Sequence, residues 1–547
     1  MTANYPLLLK QLWHTPLANA ADRSIIFRDR YRSSYRQTYV RINRFAAALA
    51  SSGVKRGDVI AVMDHDSHRY FECYFAIPMY GAIMMTVNSR LTPVQIAYTL
   101  NHSQAALLLL HIDFIPVIES IREQLTGIRK IIVLSDGDAL PPTALSLDDE
   151  YEACLKGRSD HFGFADFDKN TRATVFYTTG TTGLPKGVFY THRQLMLHTL
   201  AAGMALAAPA RQQRFHAGDV YMPLTPMFHV HAWGIPYIAT LLGVKQVYPG
   251  RYTAESLLRL IVQERVTFSH CVPTLLKMIL AAAQAAGTDL RGWKVVVGGS
   301  ALPRALAKEA LDMGIDCFAG YGLSETAPIL TLAQSIEKPD GATPQADEDA
   351  STMQRCSAGR AIPLVDVQIV DATMQPQARD GSSNGEIAVR APWLTQGYLK
   401  DSEASVALWQ GGYLHTQDIG VMGADGYLRI TDRLKDVIKV AGEWVSSLEV
   451  ENVLASVAGV REVAVIGIPD ARWGERPLAL LAVDPGLFDE AAAQQHIRSS
   501  ISQGLISKHA LLTQFRQVQG IAKTSVGKVD KKALRSENGV AASLSPE

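Results

Sequence analysis

The glycine- and threonine-rich segment at residues 177–187 reads YTTGTTGLPKG, with three glycines, four threonines and one lysine. The apolar residues 173–177 predict a β-strand, and the amphipathic spacing after Thr191 predicts a helix. Glycines let backbone N–H groups curl around oxygen atoms, hydroxyls donate further hydrogen bonds, and lysine supplies a positive charge. The segment therefore predicts a polyphosphate-binding loop. A flexible polar loop would leave the lysine and the Leu184-Pro185 step unexplained.

This segment is not a Walker A loop, whose pattern is Gly-x-x-x-x-Gly-Lys-Ser/Thr. Gly180 is followed by Gly183, and Pro185 lies directly before Lys186. The segment resembles the signature loop of the acyl-adenylate-forming superfamily, which includes acyl-CoA synthetases, peptide-synthetase adenylation domains and beetle luciferases.

Helix and strand patterns alternate along much of the chain, which predicts α/β layers. Apolar runs typical of buried strands lie at residues 59–63, 106–110, 131–134 and 295–297. The polar segment 337–354 predicts an exposed loop, and shorter strand patterns after residue 364 predict a small antiparallel barrel. With 547 residues, 47% of them hydrophobic, the chain can bury more than one core.

A charge-rich segment at residues 432–436 marks the sharpest domain boundary. We predict a large N-terminal domain over residues 1–431, a hinge at 432–436 and a small domain over 437–547. The resemblance implies a multidomain α/β protein. Its large domain would hold two doubly wound α/β subdomains and the small β-barrel, and its mobile α+β C-terminal domain would carry the catalytic lysine.

The charge balance does not indicate a nucleic-acid-binding footprint, which needs concentrated basic charge, because Lys+Arg and Asp+Glu both number 53. The five cysteines are scattered without a Cys-x-x-Cys pair, which predicts a reducing compartment rather than disulfides or a cysteine-based zinc site. No secretory signal pattern and no run of about 18 apolar residues is found. We therefore predict a cytoplasmic protein without a transmembrane segment. Peripheral membrane contact and a homodimer stay open.

The motif GYGLSET at residues 320–326 places a tyrosine between two glycines, with a glutamate nearby. A tyrosine ring offers a flat face for a purine, and a carboxylate can hold a hard cation such as Mg²⁺. The alternative is an ordinary turn with a capping Ser-Glu pair. The resemblance implies adenine stacking on Tyr321 and Mg²⁺ ligation by Glu325.

The segment GYLHTQD at residues 412–418 matches a family pattern whose aspartate, here Asp418, binds the ribose hydroxyls. Gln417 stands where the family usually has glycine. Because glycine adopts positive φ angles far more readily than glutamine, we expect a different local backbone, or different access beside the ribose.

Two further motifs mark the predicted hinge and small domain. In DRLKDVIKVAGEWV, residues 432–445, the resemblance implies that Arg433 contacts the ribose, that Lys435 is the hinge of a domain rotation and that Gly442 lines the channel for the thiol acceptor. In KTSVGKVDKK, residues 523–532, Lys528 matches the family's catalytic lysine, which can neutralise both the attacking carboxylate and the α-phosphate. Ala522 replaces a usual proline and leaves that lysine in place.

The segment PMFHVHAWG at residues 226–234 is rich in apolar and aromatic side chains. The pair His229-x-His231 offers a metal-binding alternative, because residues i and i+2 share a strand face, but no further ligands are in view. Fatty acyl-CoA synthetases have a similar segment, in which the histidine borders the reacting carboxylate and the tryptophan gates the acyl tunnel. This implies those roles for His229 and Trp233. His231 replaces an asparagine, which leaves the polarity and chain-length preference of the pocket open.

The resemblance covers residues 30–535 and implies an enzyme that uses ATP, Mg²⁺ and CoA. It would convert a hydrophobic carboxylic acid, such as a fatty acid, into acyl-AMP and then into a CoA thioester. The implied catalytic residues are Lys528, His229 and Thr179, and the implied metal ligands are Glu325 and Thr179. The implied nucleotide- and CoA-binding residues are Thr178, Thr179, Gly180, Thr181, Thr182, Gly183, Lys186, Gly299, Ser300, Gly320, Tyr321, Gly322, Ser324, Asp418, Arg433, Lys435, Gly442 and Trp444. The implied acyl-binding residues are His229, Val230, Trp233, Gly298 and Gly322.

Other functions stay open at this point. The adenylate could pass to an amine, as in coronafacate–amino acid ligase-like enzymes, or the acid could be short, cyclic or aryl. A peptide-synthetase adenylation domain is less favoured, because no aspartate stands near Phe228 and we expect no carrier domain. A silent binding protein is disfavoured by the joint presence of Lys186, Glu325, Asp418 and Lys528.

Overall fold

The structure is a computed structural model that describes residues 5–178, 184–208, 214–333, 344–503, 506–524 and 528–538, with the backbone alone for 344–349. In chain order the strands are β1 (Ser24–Phe27), β2 (Tyr31–Ser34), β3 (Val59–Met63), β4 (Ile83–Thr86), β5 (Ala105–His111), β6 (Lys130–Leu134), β7 (Asp149–Glu150), β8 (Arg172–Thr178), β9 (Lys186–Thr191), β10 (Val220–Pro223), β11 (Lys245–Tyr248), β12 (Phe268–Cys271), β13 (Lys294–Val297), β14 (Asp316–Gly322), β15 (Ile329–Leu332), β16 (Arg360–Ala361), β17 (Asp366–Val370), β18 (Gly385–Arg390), β19 (Trp409–Gln410), β20 (Tyr413–Met422), β21 (Leu428–Arg433), β22 (Ile438–Val440), β23 (Glu443–Val445), β24 (Val460–Asp470), β25 (Gly474–Val483) and β26 (Gln514–Val518).

The helices are α1 (His14–Asn19), α2 (Tyr35–Ser51), α3 (His68–Tyr80), α4 (Pro93–Ser103), α5 (Ile115–Ser120), α6 (Tyr151–Leu155), α7 (His192–Ala207), α8 (Val230–Trp233), α9 (Ile235–Leu241), α10 (Ala254–Glu264), α11 (Pro273–Ala286), α12 (Arg304–Asp312), α13 (Pro344–Cys356), α14 (Ser402–Ala407), α15 (Ser447–Leu454), α16 (Glu490–Ser502) and α17 (Lys531–Glu537). Within the described residues, none of these helices has the length and apolar character needed to cross a lipid bilayer.

A seven-stranded sheet forms the first α/β layer, in the order β7-β6-β5-β3-β4-β8-β9. Neighbouring strands are parallel except in the β8–β9 hairpin. The chain passes from β3 to β4 on one side and then to β5 on the other, which is the doubly wound arrangement. Parallel strands covered on both faces need apolar side chains at nearly every position, and β3 and β5 are buried almost throughout.

A nine-stranded sheet forms the second layer, in the order β16-β15-β14-β13-β12-β10-β11-β1-β2. Its middle strands are parallel and its outer strands are antiparallel. One apolar core runs between the two sheets and includes Ile60, Phe176, Tyr221 and Val296. The α/β fold class predicted from the sequence is confirmed.

Two smaller sheets follow. The strands predicted to form a barrel make a five-stranded antiparallel sheet, β17-β18-β20-β19, with β21 paired to β20. The last sheet, β23-β22-β25-β24, has β26 parallel to β25. Residues from Ile438 onward have apolar clusters of their own, one around Val465 and one around Leu480.

Two segments differ from the sequence-based expectations. The exposed loop predicted at 337–354 is wrong over its second half, where helix α13 forms. Pro344 suits the first helical position, and Arg355 at the helix end pairs with Asp316 and donates to the carbonyl of Cys317 at 3.1 Å. Residues 334–343 lie outside the described part. The second difference is strand β9, which the sequence patterns did not predict. It pairs with β8 between the glycine-rich segment and helix α7.

Candidate active site

The predicted phosphate loop lies at the turn of the β8–β9 hairpin. Thr178 and Lys186 face each other at the last position of the ladder, so the loop between them starts and ends at one sheet edge. Its residues Thr179, Gly180, Thr181, Thr182 and Gly183 lie outside the described residues. The Lys186 ammonium lies 4.8 Å from the ring centroid of Tyr398, within the range of a cation–π contact.

Tyr398 joins this loop to the predicted metal ligand. Its hydroxyl donates to Glu325 Oε1 at 2.9 Å, and burial together with the Glu325 charge raises the pKa of Tyr398. Tyr398 lies outside every motif that the sequence analysis identified. Its only sequence signal is the Gly397-Tyr398 pair that follows an apolar segment.

The Glu325 carboxylate has the chemistry that a Mg²⁺ ligand needs. One oxygen accepts from Tyr398, and the other accepts no hydrogen bond from a described residue. The neighbouring Ser324 carbonyl accepts from the Tyr190 hydroxyl at 2.6 Å, and the Glu325 carbonyl accepts from the Thr395 amide at 3.0 Å, so the backbone here is held firmly. Thr179, the other predicted ligand, lies in the part of the loop that is not described.

The residues predicted around adenine and ribose are in contact. Tyr321 lies between Gly320 and Gly322 at the end of β14, and its hydroxyl donates to Asp418 Oδ2 at 2.8 Å. Arg433 Nε lies 3.3 Å from Asp418 Oδ1, because the two residues are paired across β20 and β21. Burial raises the pKa of Asp418, whereas Arg433 and the Tyr321 hydroxyl act to lower it.

Lys528 reaches this site from the C-terminal part of the chain. Its Cε would lie 3.5 Å from a Cβ built on Gly299, so the lysine stem passes directly over the Gly298–Ser300 turn that follows β13. Burial, and then the Arg433 charge, lower the pKa of Lys528 to about 8, while Asp418 and Glu325 raise it. The structure therefore brings the predicted catalytic lysine to the predicted nucleotide and metal ligands.

His229 directly precedes the left-handed turn α8, and Trp233 is the last residue of that turn. Val230, His231, Ala232 and Trp233 have φ angles of +47°, +55°, +48° and +60°. This conformation costs roughly 1–2 kcal/mol per residue for L-amino acids. Strained backbone of this kind is concentrated at ligand sites, where the surrounding structure must hold it.

Neighbouring elements hold this turn in place. The Thr86 hydroxyl donates to the Phe228 carbonyl at 2.8 Å, and the Met227 amide donates to Asp66 Oδ1 at 2.8 Å. The Trp233 indole covers Gly298: a Cβ at Gly298 would lie 3.0 Å from the indole and 2.8 Å from the Gly320 carbonyl oxygen. The acyl-site residues predicted from the sequence are thus adjacent to the turn that Lys528 covers.

Both histidines of the turn are neutral at physiological pH. Burial lowers the pKa of His229 and of His231 to about 3, with Lys528 as a further cause for His229. His231 is packed among the rings of Tyr74, Phe176 and Tyr237, and neither of its ring nitrogens has a hydrogen-bond partner among the described residues. The metal-binding alternative assumed a strand, and the backbone here is a left-handed turn.

The expectation of a different backbone at Gln417 is wrong. Gln417 has φ of +58°, the region that favours glycine. Its amide donates to Glu386 Oε1 at 2.9 Å, and its carbonyl accepts from the Leu434 amide at 2.9 Å. These two bonds and the exposed side chain offset the cost of the conformation.

The predicted hinge residue Lys435 lies near enough to Arg433 to feel its charge, whereas the predicted acceptor-channel residues Gly442 and Trp444 are exposed. The Lys435 carbonyl accepts from Arg535 Nη2 at 3.4 Å, and burial lowers the pKa of Lys435 to about 8. Gly442 is at the tip of the β22–β23 hairpin, with φ of +83°, and Trp444 is 43% exposed. A Cβ built on Gly442 would meet no described atom within 4 Å.

The sequence matches two parts of one known family. Residues 13–399 match the AMP-binding enzyme family, and residues 449–528 match the AMP-binding enzyme C-terminal domain. The chain belongs to the AMP-binding enzyme family. This AMP-binding enzyme is 37% identical to the long-chain-fatty-acid–CoA ligase of Thermus thermophilus over 93% of this chain and 90% of the relative.

Further relatives agree with this assignment. The 3-methylmercaptopropionyl-CoA ligase of Ruegeria pomeroyi is 32% identical, over 90% of this chain and 89% of that protein. The solved structure of the anthranilate CoA ligase AuaEII with anthranoyl-AMP shares the fold, with a TM-score of 0.83, 24% identity and 98% coverage of both chains.

The relatives bear out several predictions made from the sequence. The acyl-adenylate-forming superfamily and its enzyme class, an AMP-forming acid–CoA ligase that uses ATP, Mg²⁺ and CoA, are confirmed. The roles of individual residues stay predictions, and so do the domain boundaries.

Proposed function

We propose that this enzyme activates a hydrophobic carboxylic acid, with a fatty acid as first candidate, to acyl-AMP and then transfers the acyl group to CoA. The observation that carries this proposal is the position of Lys528 over Gly299, together with the Tyr321–Asp418–Arg433 chain. The apolar wall formed by Val230 and Trp233, both buried, supports an apolar acyl group. The fatty-acid ligase among the relatives supports the same substrate class.

In the first step, a carboxylate oxygen of the acid attacks the α-phosphorus of ATP and pyrophosphate leaves. Lys186 and the threonines at 178–182 would hold the phosphates. Lys528 would bind the attacking carboxylate and the α-phosphate oxygens while negative charge develops there, so its contribution is positioning and charge stabilisation. Neutral His229 would border the carboxylate. Glu325 and Thr179 would hold Mg²⁺, which when bound neutralises phosphate charge.

For the second step we propose a rotation of residues 437–547 relative to residues 1–431 about the hinge at 432–436. The exposure of Gly442 and Trp444 supports it, because residues that line a closed acceptor channel must be covered by another part of the chain when the channel forms. Rotation about Lys435 would withdraw Lys528 and bring Gly442 to the acceptor channel. The CoA thiol would then attack the acyl carbonyl, and AMP would leave.

The decisive experiment is an acid-by-acid screen of ATP-dependent pyrophosphate release, run with CoA, without CoA and with amino acids. We expect fatty acids to give the highest kcat/KM and acyl-CoA to be the product. Amide formation without CoA-thioester formation would select the amine-transfer alternative. Highest activity with a short, cyclic or aryl acid would reject the fatty-acid assignment.

We further propose a cytoplasmic enzyme, supported by five free cysteines. Size-exclusion chromatography with light scattering would measure whether it forms the homodimer that the sequence leaves open.

A further inference from the structure

Three potential metal ligands meet at the carboxyl edge of the seven-stranded sheet. His65 lies just after β3, His111 ends β5, and Asp113 follows in a short 3-10 turn. Strands β3 and β5 are neighbours, and the strand order reverses between them, because β4 lies beyond β3 and β6 lies beyond β5. Open α/β sheets bind ligands in the crevice at such a reversal.

The three side chains converge. His65 Nε2 lies 2.9 Å from Asp113 Oδ2, and His111 Nδ1 lies 3.9 Å from the same oxygen. One ligand atom from each residue lies within 4.8 Å of the other two. In a tetrahedral Zn²⁺ site with bonds of about 2.1 Å, the ligand atoms lie about 3.4 Å apart, so side-chain rotations of roughly 1 Å would bring all three onto one ion. The side chains are 24%, 5% and 36% exposed, which leaves a side open to solvent.

Hydrogen bonds prepare His111 to be a ligand through Nδ1. The Asp113 amide donates to His111 Nδ1 at 3.2 Å, so the lone pair is on that nitrogen and the proton of the neutral ring is on Nε2. His111 Nε2 is buried and has no hydrogen-bond partner among the described residues, and it lies 3.8 Å from Asp136 Oδ2, which is too far for a hydrogen bond. Asp136 is itself paired with Arg69. A hydrogen bond from the far nitrogen to a carboxylate orients metal-binding histidines, and a small shift of the ring would form one here. A bound ion would take the place of the Asp113 N–H at His111 Nδ1. It would also take the place of the proton that His65 Nε2 and Asp113 Oδ2 share in their hydrogen bond.

We propose that His65, His111 and Asp113 bind one divalent ion of the Zn²⁺ class, with water completing its coordination. Two imidazole nitrogens and one carboxylate oxygen favour Zn²⁺ or Co²⁺, whereas Mg²⁺ prefers oxygen ligands alone. The site shares no residue with the proposed Mg²⁺ ligands Glu325 and Thr179. Arg251, 77% exposed, lies 3.6 Å from Asp113 Oδ2 and competes with an ion for that oxygen.

This ion would act on the acyl site through one short loop. His65 is followed by Asp66, whose side chain accepts from the Met227 amide and whose carbonyl accepts from the Gly250 amide at 2.9 Å. Met227 lies two residues before His229. Metal binding at His65 would therefore restrain the loop that supports the left-handed turn, and His65 becomes a positioning residue for the acid.

The test is metal binding by the full chain after treatment with a chelator, measured without acid, ATP or CoA, so that its outcome is independent of the proposed reaction. Zn²⁺ is titrated by calorimetry against a competing chelator, and Co²⁺ by its visible absorbance. We expect one ion per chain, not displaced by millimolar Mg²⁺. His65→Gln and His111→Gln should weaken Zn²⁺ binding at least tenfold each, and Arg251→Gln should tighten it.

Two control variants test whether Zn²⁺ binds at this site rather than at other histidines or acidic residues. His161→Gln removes an exposed histidine elsewhere, and Glu325→Gln removes the proposed Mg²⁺ ligand; neither should change the Zn²⁺ affinity. Equal affinity in wild type and His65→Gln, or no stoichiometric ion, overturns the site. Thermal melting of each variant checks its fold, and His65→Gln changes a partly exposed side chain. Zn²⁺ should lower the KM for the acid in wild type but not in His65→Gln; an unchanged wild-type KM overturns the positioning role.

Discussion

At the scale of single residues, Lys528 is the group on which the proposed adenylation step depends most. Its stem lies over Gly299, and its charge is coupled to Arg433, Asp418 and Glu325. Lys528→Ala removes the positive charge from the site where negative charge develops, so we expect acyl-AMP formation to fall on the order of 10²–10³-fold. Thioester formation from supplied acyl-AMP should change little. Pyrophosphate release and acyl-CoA formation measure the two half-reactions separately.

Lys532→Ala is the matched control, because Lys532 is an exposed lysine on the helix that follows. It should leave both half-reactions unchanged. An equal loss of adenylation and thioester formation in Lys528→Ala would contradict the assigned role.

The pKa of Lys528 predicts a pH dependence. Burial and Arg433 lower this pKa to about 8, and only the protonated amine can neutralise phosphate charge. The kcat/KM for adenylation reports ionisations of the free enzyme, so it should fall as pH rises through about 8. His229, whose pKa is about 3, should contribute no ionisation near neutral pH. Pyrophosphate release without CoA, measured across pH, gives the profile.

Lys435 also has a pKa of about 8, so two variants are needed to assign the ionisation. In Lys528→Arg the side chain keeps its charge to higher pH. The alkaline limb of the kcat/KM profile, measured on the remaining adenylation activity, should therefore move to higher pH. Lys435→Arg should leave the limb in place. If Lys435→Arg moves the alkaline limb to higher pH and Lys528→Arg does not, the ionisation belongs to the hinge residue Lys435.

At the level of elements, the left-handed turn α8 and the turn after β13 form one wall of the proposed acyl site. A Cβ at Gly298 would lie closer to the Gly320 carbonyl and to the Trp233 indole than ordinary contacts allow. Gly298→Ala should therefore displace Trp233, raise the KM for the acid and lower the free energy of unfolding by about 1–3 kcal/mol, with the KM for ATP nearly unchanged. Acid-dependent kinetics and denaturant unfolding measure both effects.

Gly163→Ala is the comparison variant, since a Cβ there meets no atom within 4 Å and the backbone φ is not positive. It should match wild type in kinetics and stability. A wild-type KM for the acid in Gly298→Ala would show that this wall does not contact the acyl group.

At the level of the whole molecule, the proposed rotation predicts that a substitution at Gly442 affects thioester formation but not adenylation. A Cβ at Gly442 meets no atom within 4 Å in this arrangement. Gly442→Leu should therefore preserve adenylation but obstruct the acceptor channel after rotation, lowering thioester formation at least tenfold. Single-turnover formation of acyl-AMP and of acyl-CoA distinguishes the two steps.

Gly426→Leu controls for backbone strain, because Gly426 also has a positive φ and no neighbour within 4 Å. Both substitutions should cost about 1–2 kcal/mol of stability from the left-handed conformation, but Gly426→Leu should retain both half-reactions. Loss of adenylation in Gly442→Leu but not in Gly426→Leu would contradict the proposed rotation.

The sequence alone predicts much of the chemistry of this enzyme. The phosphate loop is predicted from residue types whose chemistry is local, and the roles predicted for Tyr321, Glu325, Asp418 and Lys528 come from the resemblance of their motifs to those of the family. Long apolar runs likewise predicted β3 and β13, since burial on both faces leaves a continuous pattern.

How these groups come together follows from the three-dimensional structure and not from any local pattern. The positive φ angles at Gln417 and across α8 carry a local cost that contacts from distant strands offset, so no local pattern predicts them. Helix α13 ends at an ion pair between Arg355 and Asp316, which are far apart in the sequence. The contact of Lys528 with Gly299 and the meeting of His65, His111 and Asp113 arise because strand order places distant segments side by side.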